Sequence, residues 1–254
     1  MTPRCPPAPA GRQVASARAT GPWPAHVHAF QPIVDTHRQC VFSYEALLRA
    51  ADGRSPVELF DSLPPADRHR FDEITRQSAI AAAARLDLAC HLNVNCLPCG
   101  LLEDPALLDR TLIEAARHGW SADRLIIEMT ESEVIDDPTR FAGIFDHYRA
   151  RGLRVAIDDF GAGYSGLNLL AAFQPDQVKI DMNLVRGIEG HGPRQAIVRA
   201  IMQCCTDLGI DVIAEGVETM AEYTWFAAEG VRLYQGWLFG RPAVGALRAP
   251  TWPR

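Results

Sequence analysis

The chain has 254 residues, 48% of them hydrophobic and 22% charged, and a formal charge of -6. That is the length of one α/β barrel and the composition of a globular domain with a sizeable core. The negative balance argues against bulk attraction to a nucleic-acid polymer, and no apolar run is long enough for a signal peptide or a membrane span. A cytoplasmic protein without membrane attachment is therefore expected.

Residues 1–25 are rich in Pro, Ala, Arg and Gly and read as a flexible tail or linker. From His26 the pattern turns regular. HAFQPIVD and CVFSYEALLR are two apolar runs joined by the short turn THRQ, too short for a helical crossover, so they predict an antiparallel hairpin. A helical region follows from about Pro56 to Leu86, with apolar residues at helix spacing and many alanines. Strands and helices then alternate. LACHLNVN precedes PALLDRTLIEAARHG, and RLIIEM precedes PTRFAGIFDHYRARG. LRVAID leads through a glycine-rich loop to a short helix near 167–173. QVKI precedes RQAIVRAIMQCCTDLG, DVIAEG precedes TMAEYTWFAAEG, and VRLYQG closes the series. Gly119, Gly152, Gly209 and Gly230 each stand where a helix C-terminal cap belongs. The pattern predicts an α/β fold, a (β/α)8 TIM-like barrel with an antiparallel first strand, over residues 26–246. Residues 247–254 read as a C-terminal tail. A doubly wound open sheet would need a GxGxxG loop after its first strand, and there is none.

Polar groups recur at the ends of these apolar runs: Glu45, Asn95, Glu128, the pair Asp158 and Asp159, Lys179, Glu215 and Gln235. The C-terminal ends of barrel strands are where such a fold gathers its chemistry. Carboxylates brought together there repel one another and resist ionisation unless divalent cations neutralise them. The pattern points to a metal-dependent enzyme acting on an anionic substrate. Taken singly, Glu128 or Glu215 reads more readily as a helix cap or a solvated charge, and Lys179 as a partner of Asp181.

FQPIVD, EALLRA, LNVNCLP, EMTES, DDFGAGYSGL, VKID, AEGVE and QGWLFGRP, in this order from about Phe30 to Pro242, resemble the EAL-domain phosphodiesterases. The resemblance implies hydrolysis of cyclic di-GMP to linear pGpG, with two Mg²⁺ or Mn²⁺ ions activating a water for in-line attack. It implies that Glu45, Asn95, Glu128 and Asp158 bind one ion, and that Asp158 bridges to a second held by Asp159 and Glu215. Lys179 would contact the nucleophilic water, with a pKa depressed by the dications, and Gln235 would hold a metal-bound water. These two with Glu45 and Glu215 form the implied catalytic set. Arg49, just beyond the strand end, would grip the substrate phosphate, and Gln31, Phe239 and Pro242 would also meet the substrate. Glu131 of EMTES matches the anchor of the loop 159–165, and Glu218 is a further support. Gly166 stands where the family often has a second serine. A homodimer and a sensory or regulatory partner protein also follow from the resemblance, although no sensory domain is recognisable.

Other classes fit less well. Relatives that act as silent cyclic di-GMP receptors or protein-interaction regulators usually lack a metal ligand or the lysine, and here the set is complete. A barrel using metals for enolate chemistry would not call for Asn95 and Arg49. The seven cysteines read as reduced thiols, and the single CxxC of Cys96 and Cys99 as coincidence. All eight histidines read as structural or surface residues, and Trp225 and Phe226 as packing residues.

Overall fold

The computed structural model describes residues 23–130, 138–163 and 166–253. The expected anchor Glu131, the loop residues Tyr164 and Ser165, and most of the N-terminal tail lie outside them. Nine strands are described: β1 (His26–Asp35), β2 (Cys40–Ala50), β3 (His91–Asn95), β4 (Leu125–Thr130), β5 (Arg154–Phe160), β6 (Gln177–Ile180), β7 (Asp211–Ala214), β8 (Leu233–Gln235) and β9 (Ala243–Val244). The helices are α1 (Pro56–Asp61), α2 (Pro65–Arg85), α3 (Pro98–Glu103), α4 (Ala106–Arg117), α5 (Pro138–Arg149), α6 (Gly166–Ala172), α7 (Met182–Val185), α8 (Gly192–Leu208) and α9 (Met220–Ala228).

Strands β2 to β8 pair in parallel in chain order. The ring closes through β1, which is antiparallel to both β2 and β8. This is the barrel expected from the hairpin and the strand–helix alternation, with the short β9 added against β1. Because β1 runs against the others, its first residues lie at the same rim as the C-terminal ends of the parallel strands.

The main apolar layer lies between strands and helices, where Leu92, Leu125, Ile127, Val155, Ile157 and Val178 meet Ile80, Leu108, Phe145 and Cys205. Strands covered by a barrel interior on one face and helices on the other read as nearly continuous apolar runs. Alternation then decides which side chain enters the barrel. Tyr44 turns outward and donates to the Arg248 carbonyl at 2.7 Å, so its neighbour Glu45 turns in.

Four details depart from the sequence reading. The single helical region 56–86 is two helices. Ser55 and Glu58 form a capping box at the start of α1. The chain breaks before Pro65 because Pro64 disfavours helical backbone at Leu63. Helix α3 was hidden by Pro98 and Gly100. Cys40 is disulfide-bonded, although Cys90, Cys96, Cys204 and Cys205 are free thiols. The expected C-terminal tail is docked: Leu247 is buried, and the Thr251 amide donates to the Phe239 carbonyl at 2.7 Å. No helix among the described residues is long and apolar enough to cross a membrane.

The turn after β8 leaves no room for a side chain. Gly236 has φ +156°, and a Cβ there would lie 2.0 Å from the Val217 carbonyl oxygen. That oxygen also accepts from the Leu238 amide at 3.1 Å, while the Val217 amide donates to Gln235 at 3.0 Å. The contact therefore fixes the rim position of Gln235. Gly236→Ala is expected to lower unfolding free energy by about 3 kcal/mol or more in urea denaturation. Gly53→Ala, at φ +88° in open space, should cost only about 1 kcal/mol. Equal effects would contradict the packing described.

Candidate active site

Register carries the polar side chains to one rim. Glu45 is level with Asn93, Asn95 with Glu128, and Thr130 with Asp158. On the inner face the amides reach diagonally. Asn93 Nδ2 donates to Glu128 Oε1 at 2.7 Å, and Asn95 Nδ2 donates to Glu45 Oε1 at 3.2 Å. Gln235 Nε2 donates to Glu45 Oε2 at 2.6 Å and to Gln31 Oε1 at 3.2 Å.

Adjacent residues of a regular strand face opposite sides, yet Asp158 and Asp159 both serve this rim. A bulge in the β5–β6 pairing explains this. Ile157 pairs with Val178 and Phe160 with Ile180, so three steps on β5 match two on β6. Asp159 takes the left-handed conformation, φ +53°, which aspartate tolerates better than most residues. The two carboxylates thereby face the same space.

Lys179 is the central cation. Its Nζ, fully buried, lies 2.9 Å from Asp158 Oδ1, 3.2 Å from Glu45, 3.4 Å from Glu128 and 3.5 Å from Glu215. It does not pair with Asp181, whose carboxylate caps α7 through the Asn183 amide at 2.9 Å.

One ammonium cannot neutralise five carboxylates. Burial, then the charge of Glu45, holds Glu128 well above the usual carboxylate range. Burial also keeps Glu215 well above it, helped by the charge of Asp158, which accepts a hydrogen bond from it. Partial burial and neighbouring Asp158 push Asp159 up to about 6. Burial opposes ionisation of Asp158 too, but the Lys179 charge and the bond from Glu215 outweigh it and hold this carboxyl below its usual value. For Lys179, burial works against the charge, and the surrounding carboxylates more than offset it. Its pKa is thus raised well above the usual range, the opposite of the depression that neighbouring dications would cause.

These residues fit a divalent metal. Ligand oxygens of Glu45, Glu128 and Asp158 lie within 4.8 Å of one another, and so do those of Asp158, Asp159 and Glu215. The donors are hard oxygens, suited to Mg²⁺ or Mn²⁺ rather than zinc. Buried Gln235 Oε1 has no hydrogen-bond partner, so it has a lone pair to offer.

The other expected site residues divide. Arg49 belongs to β2 itself rather than lying past its end. It is on the same strand face as Glu45, and its Nη1 donates to the Leu48 carbonyl at 2.7 Å. It lines, with Glu45, Asn95, Asp158, Asp159 and Glu215, a cavity of about 350 Å³. Gln31 is buried, and its Nε2 is committed to the Gly240 carbonyl at 3.0 Å. Phe239 is not available to a substrate: it is fully buried against Tyr234 and Tyr223. Pro242 is half-buried and does not line the cavity. Glu218 turns to Arg186, 2.9 Å away, rather than to the carboxylates. Asn93, which orients Glu128, was missed by the sequence reading, although its spacing of two from Asn95 puts both on one strand face.

A family model described as EAL domain matches residues 26–242, and the chain belongs to that family. It is 34% identical over 226 residues to the blue light- and temperature-regulated antirepressor BluF of Escherichia coli K12, covering 89% of this chain and 56% of that one. It is 38% identical over 228 residues to the cyclic di-GMP phosphodiesterase PdeR of the same strain, covering 84% of this chain and 33% of the relative. The chain thus spans about half of BluF and a third of PdeR. Among solved structures it is similar to Klebsiella pneumoniae BlrP1 in its complex with manganese and cyclic di-GMP. That likeness has 41% identity and a TM-score of 0.86, and covers 96% of this chain and 62% of that one.

The charge imbalance sets a pH dependence. Asp159, Glu128 and Glu215 bind protons more tightly in the fold than in the unfolded chain. Without metal, the stability these three carboxyls contribute therefore falls as pH rises from about 4 through about 6 and beyond. Lys179 does not oppose this, because its raised pKa keeps its contribution until strongly alkaline pH. The contribution of Asp158, whose pKa is lowered, is already complete above about pH 4. The imidazoles of His28 and His91, whose pKa values burial lowers, act in the opposite sense below about pH 6.5, so the test reads the metal effect itself: Mn²⁺ should raise the melting midpoint more near about pH 8 than near about pH 5.5. Equal Mn²⁺ shifts at both pH values, by differential scanning fluorimetry, would count against the metal assignment.

Proposed function

We propose that this member of the EAL domain family hydrolyses cyclic di-GMP to linear pGpG. The carrying observation is the convergence of Glu45, Glu128, Asp158 and Glu215 on one buried lysine, with Asn95, Asp159 and Arg49 on the same cavity. The similarity to PdeR and to the manganese and cyclic di-GMP complex of BlrP1 supports the substrate and the metal class.

In this reading Glu45, Asn95, Glu128 and Asp158 would hold one Mg²⁺ or Mn²⁺, and Asp158, Asp159 and Glu215 would hold a second. Such ions would supply Lewis acidity to phosphate oxygens and would lower the pKa of water enough to make it a nucleophile near neutral pH. The chain's own residues do the remaining work. Lys179, fixed by four carboxylates, aligns the attacking water and adds positive charge beside the phosphoryl oxygens. Gln235 holds Glu45 in place through its amide nitrogen and keeps its carbonyl free to accept from water. Arg49 retains guanidinium donors to grip the phosphate. The water oxygen bonds to phosphorus, the 3′ oxygen leaves with a proton, and the phosphate stays on the 5′ oxygen.

A second reading is favoured by the 34% identity to an antirepressor: the site binds cyclic di-GMP and reports it to a partner protein. Turnover separates the two. Purified protein with Mn²⁺ and cyclic di-GMP should yield pGpG by mass-resolved chromatography. Binding without product in Mg²⁺ or Mn²⁺ would select the regulatory reading. Glu45→Ala and Asp158→Asn should abolish turnover with the fold intact by circular dichroism. Lys179→Ala should lower kcat by about 100-fold or more with little change in substrate binding. An unchanged kcat in that variant would remove the lysine from the reaction.

A further inference from the structure

Two neighbouring loops of the rim each carry part of the carboxylate and lysine cluster. One leaves β6 just after Lys179, passes through α7 and turns at Gly187. The other leaves β7 at Glu215 and reaches α9 through Gly216, Val217, Glu218 and Thr219. At their bases the Glu215 amide donates to the Ile180 carbonyl at 3.3 Å. The loops also pack closely, because a Cβ on Gly216 would lie 2.7 Å from Met182 Cβ.

Farther out, one side chain ties the two loops together. Glu222, in the first turn of α9, is 1% exposed. Its Oε1 accepts from the Gly187 amide at 3.0 Å, on the first loop. Its Oε2 accepts from the Glu218 amide at 2.9 Å and the Thr219 amide at 3.0 Å, on the second. Part of this is ordinary helix capping. Thr219 Oγ1 accepts from the Glu222 amide at 3.2 Å, and the two residues form a capping box. The Gly187 bond has no place in a cap, since it reaches back 35 residues along the chain. Burial opposes ionisation of Glu222, and the three backbone amides outweigh it, so the carboxylate stays charged and accepts on both oxygens. Arg186 and Glu218 also link the loops, Nη2 to Oε1 at 2.9 Å, but their side chains are 39% and 31% exposed. An ion pair that open to water fixes little, whereas a buried carboxylate with three amide donors fixes the backbone on both sides of it.

Glu215 therefore lies in a short span held at both ends, by Ile180 behind it and Glu222 ahead. We propose that Glu222 is a positioning residue for the second carboxylate group. By clamping the loop after β7 to the loop after β6, it holds Glu215 beside Asp158, Asp159 and Lys179. A ligand held in place before an ion arrives loses less freedom when the ion binds. The role deepens the two-metal reading and rests on it.

Three variants separate the clamp from the helix cap. Glu222→Ala removes all three side-chain bonds. Thr219→Ala removes the cap bond and leaves the carboxylate in place. Glu222→Gln keeps one oxygen to cap α9 and sets an amide group against a backbone N–H, so the clamp is partly lost. In metal-free protein, hydrogen exchange at the Gly187 and Glu218 amides should quicken by about tenfold or more in Glu222→Ala and stay near the parent rate in Thr219→Ala. In a Mn²⁺ titration followed by electron paramagnetic resonance, Glu222→Ala should bind its first ion like the parent and its second about tenfold more weakly. Glu222→Gln should weaken the second ion by about threefold, and Thr219→Ala should match the parent for both. Retention of the first ion reports an intact rim. If Glu222→Ala does not fold, Glu222→Gln carries the test, and a second ion bound as tightly as in the parent would overturn the clamp. An equal loss in Thr219→Ala would also overturn it, in favour of capping alone. A parent protein that takes up fewer than two ions would overturn the two-metal reading, and the positioning role with it.

Discussion

The Lys179 ammonium is enclosed in the barrel, 2.9 Å from Asp158 and within 3.5 Å of Glu45, Glu128 and Glu215. A buried cation is tolerated only with partners, and buried carboxylates only with a cation. Each half of this cluster therefore depends on the other. Removing the lysine alone would leave several uncompensated carboxylates, a loss on the order of 3–5 kcal/mol for a broken buried pair. The cluster still holds more negative than positive charge, and the upward shift of Glu128 and Glu215 is how the metal-free fold eases the difference.

That imbalance connects stability to chemistry. A site that traps protons for want of positive charge is one that divalent cations can complete, releasing those protons as they bind. The barrel makes the cluster possible by distributing its members over separate strands. Glu45, Glu128, Asp158 and Lys179 come from β2, β4, β5 and β6, and Glu215 follows β7. Packing of the apolar layer outside fixes the register, and the register fixes distances inside. The bulge in β5 is the local exception, where left-handed Asp159 lets two consecutive carboxylates face one space.

Much of this was legible in the amino-acid order. The barrel followed from strand–helix alternation after a hairpin too tight for a crossover. The carboxylates stood out because they follow apolar runs that a buried strand would occupy. What stayed hidden depended on side-chain direction and tertiary partners. Phe239 sits beside the site in sequence, but its ring turns into the Tyr223 and Tyr234 cluster. Glu218 was expected near the carboxylates, and Arg186, from a distant turn, captures it instead. His28 and Arg76 lie far apart in the chain with no motif around them, and only the antiparallel course of β1 brings them to one cavity. The H-x-H spacing of His26 and His28 was passed over in the sequence, and their shared partner Ser78 is set by the packing of α2.

The central proposal is that this cluster would hold two divalent ions, with Asp158 common to both groups of carboxylates. Electron paramagnetic resonance of the protein titrated with Mn²⁺ tests it most directly. The account predicts that the signal of free Mn²⁺ is lost until two ions are bound per chain, giving way to an exchange-coupled spectrum that Asp158→Asn eliminates. A single uncoupled ion at saturation, or a coupled pair that survives in Asp158→Asn, would contradict it.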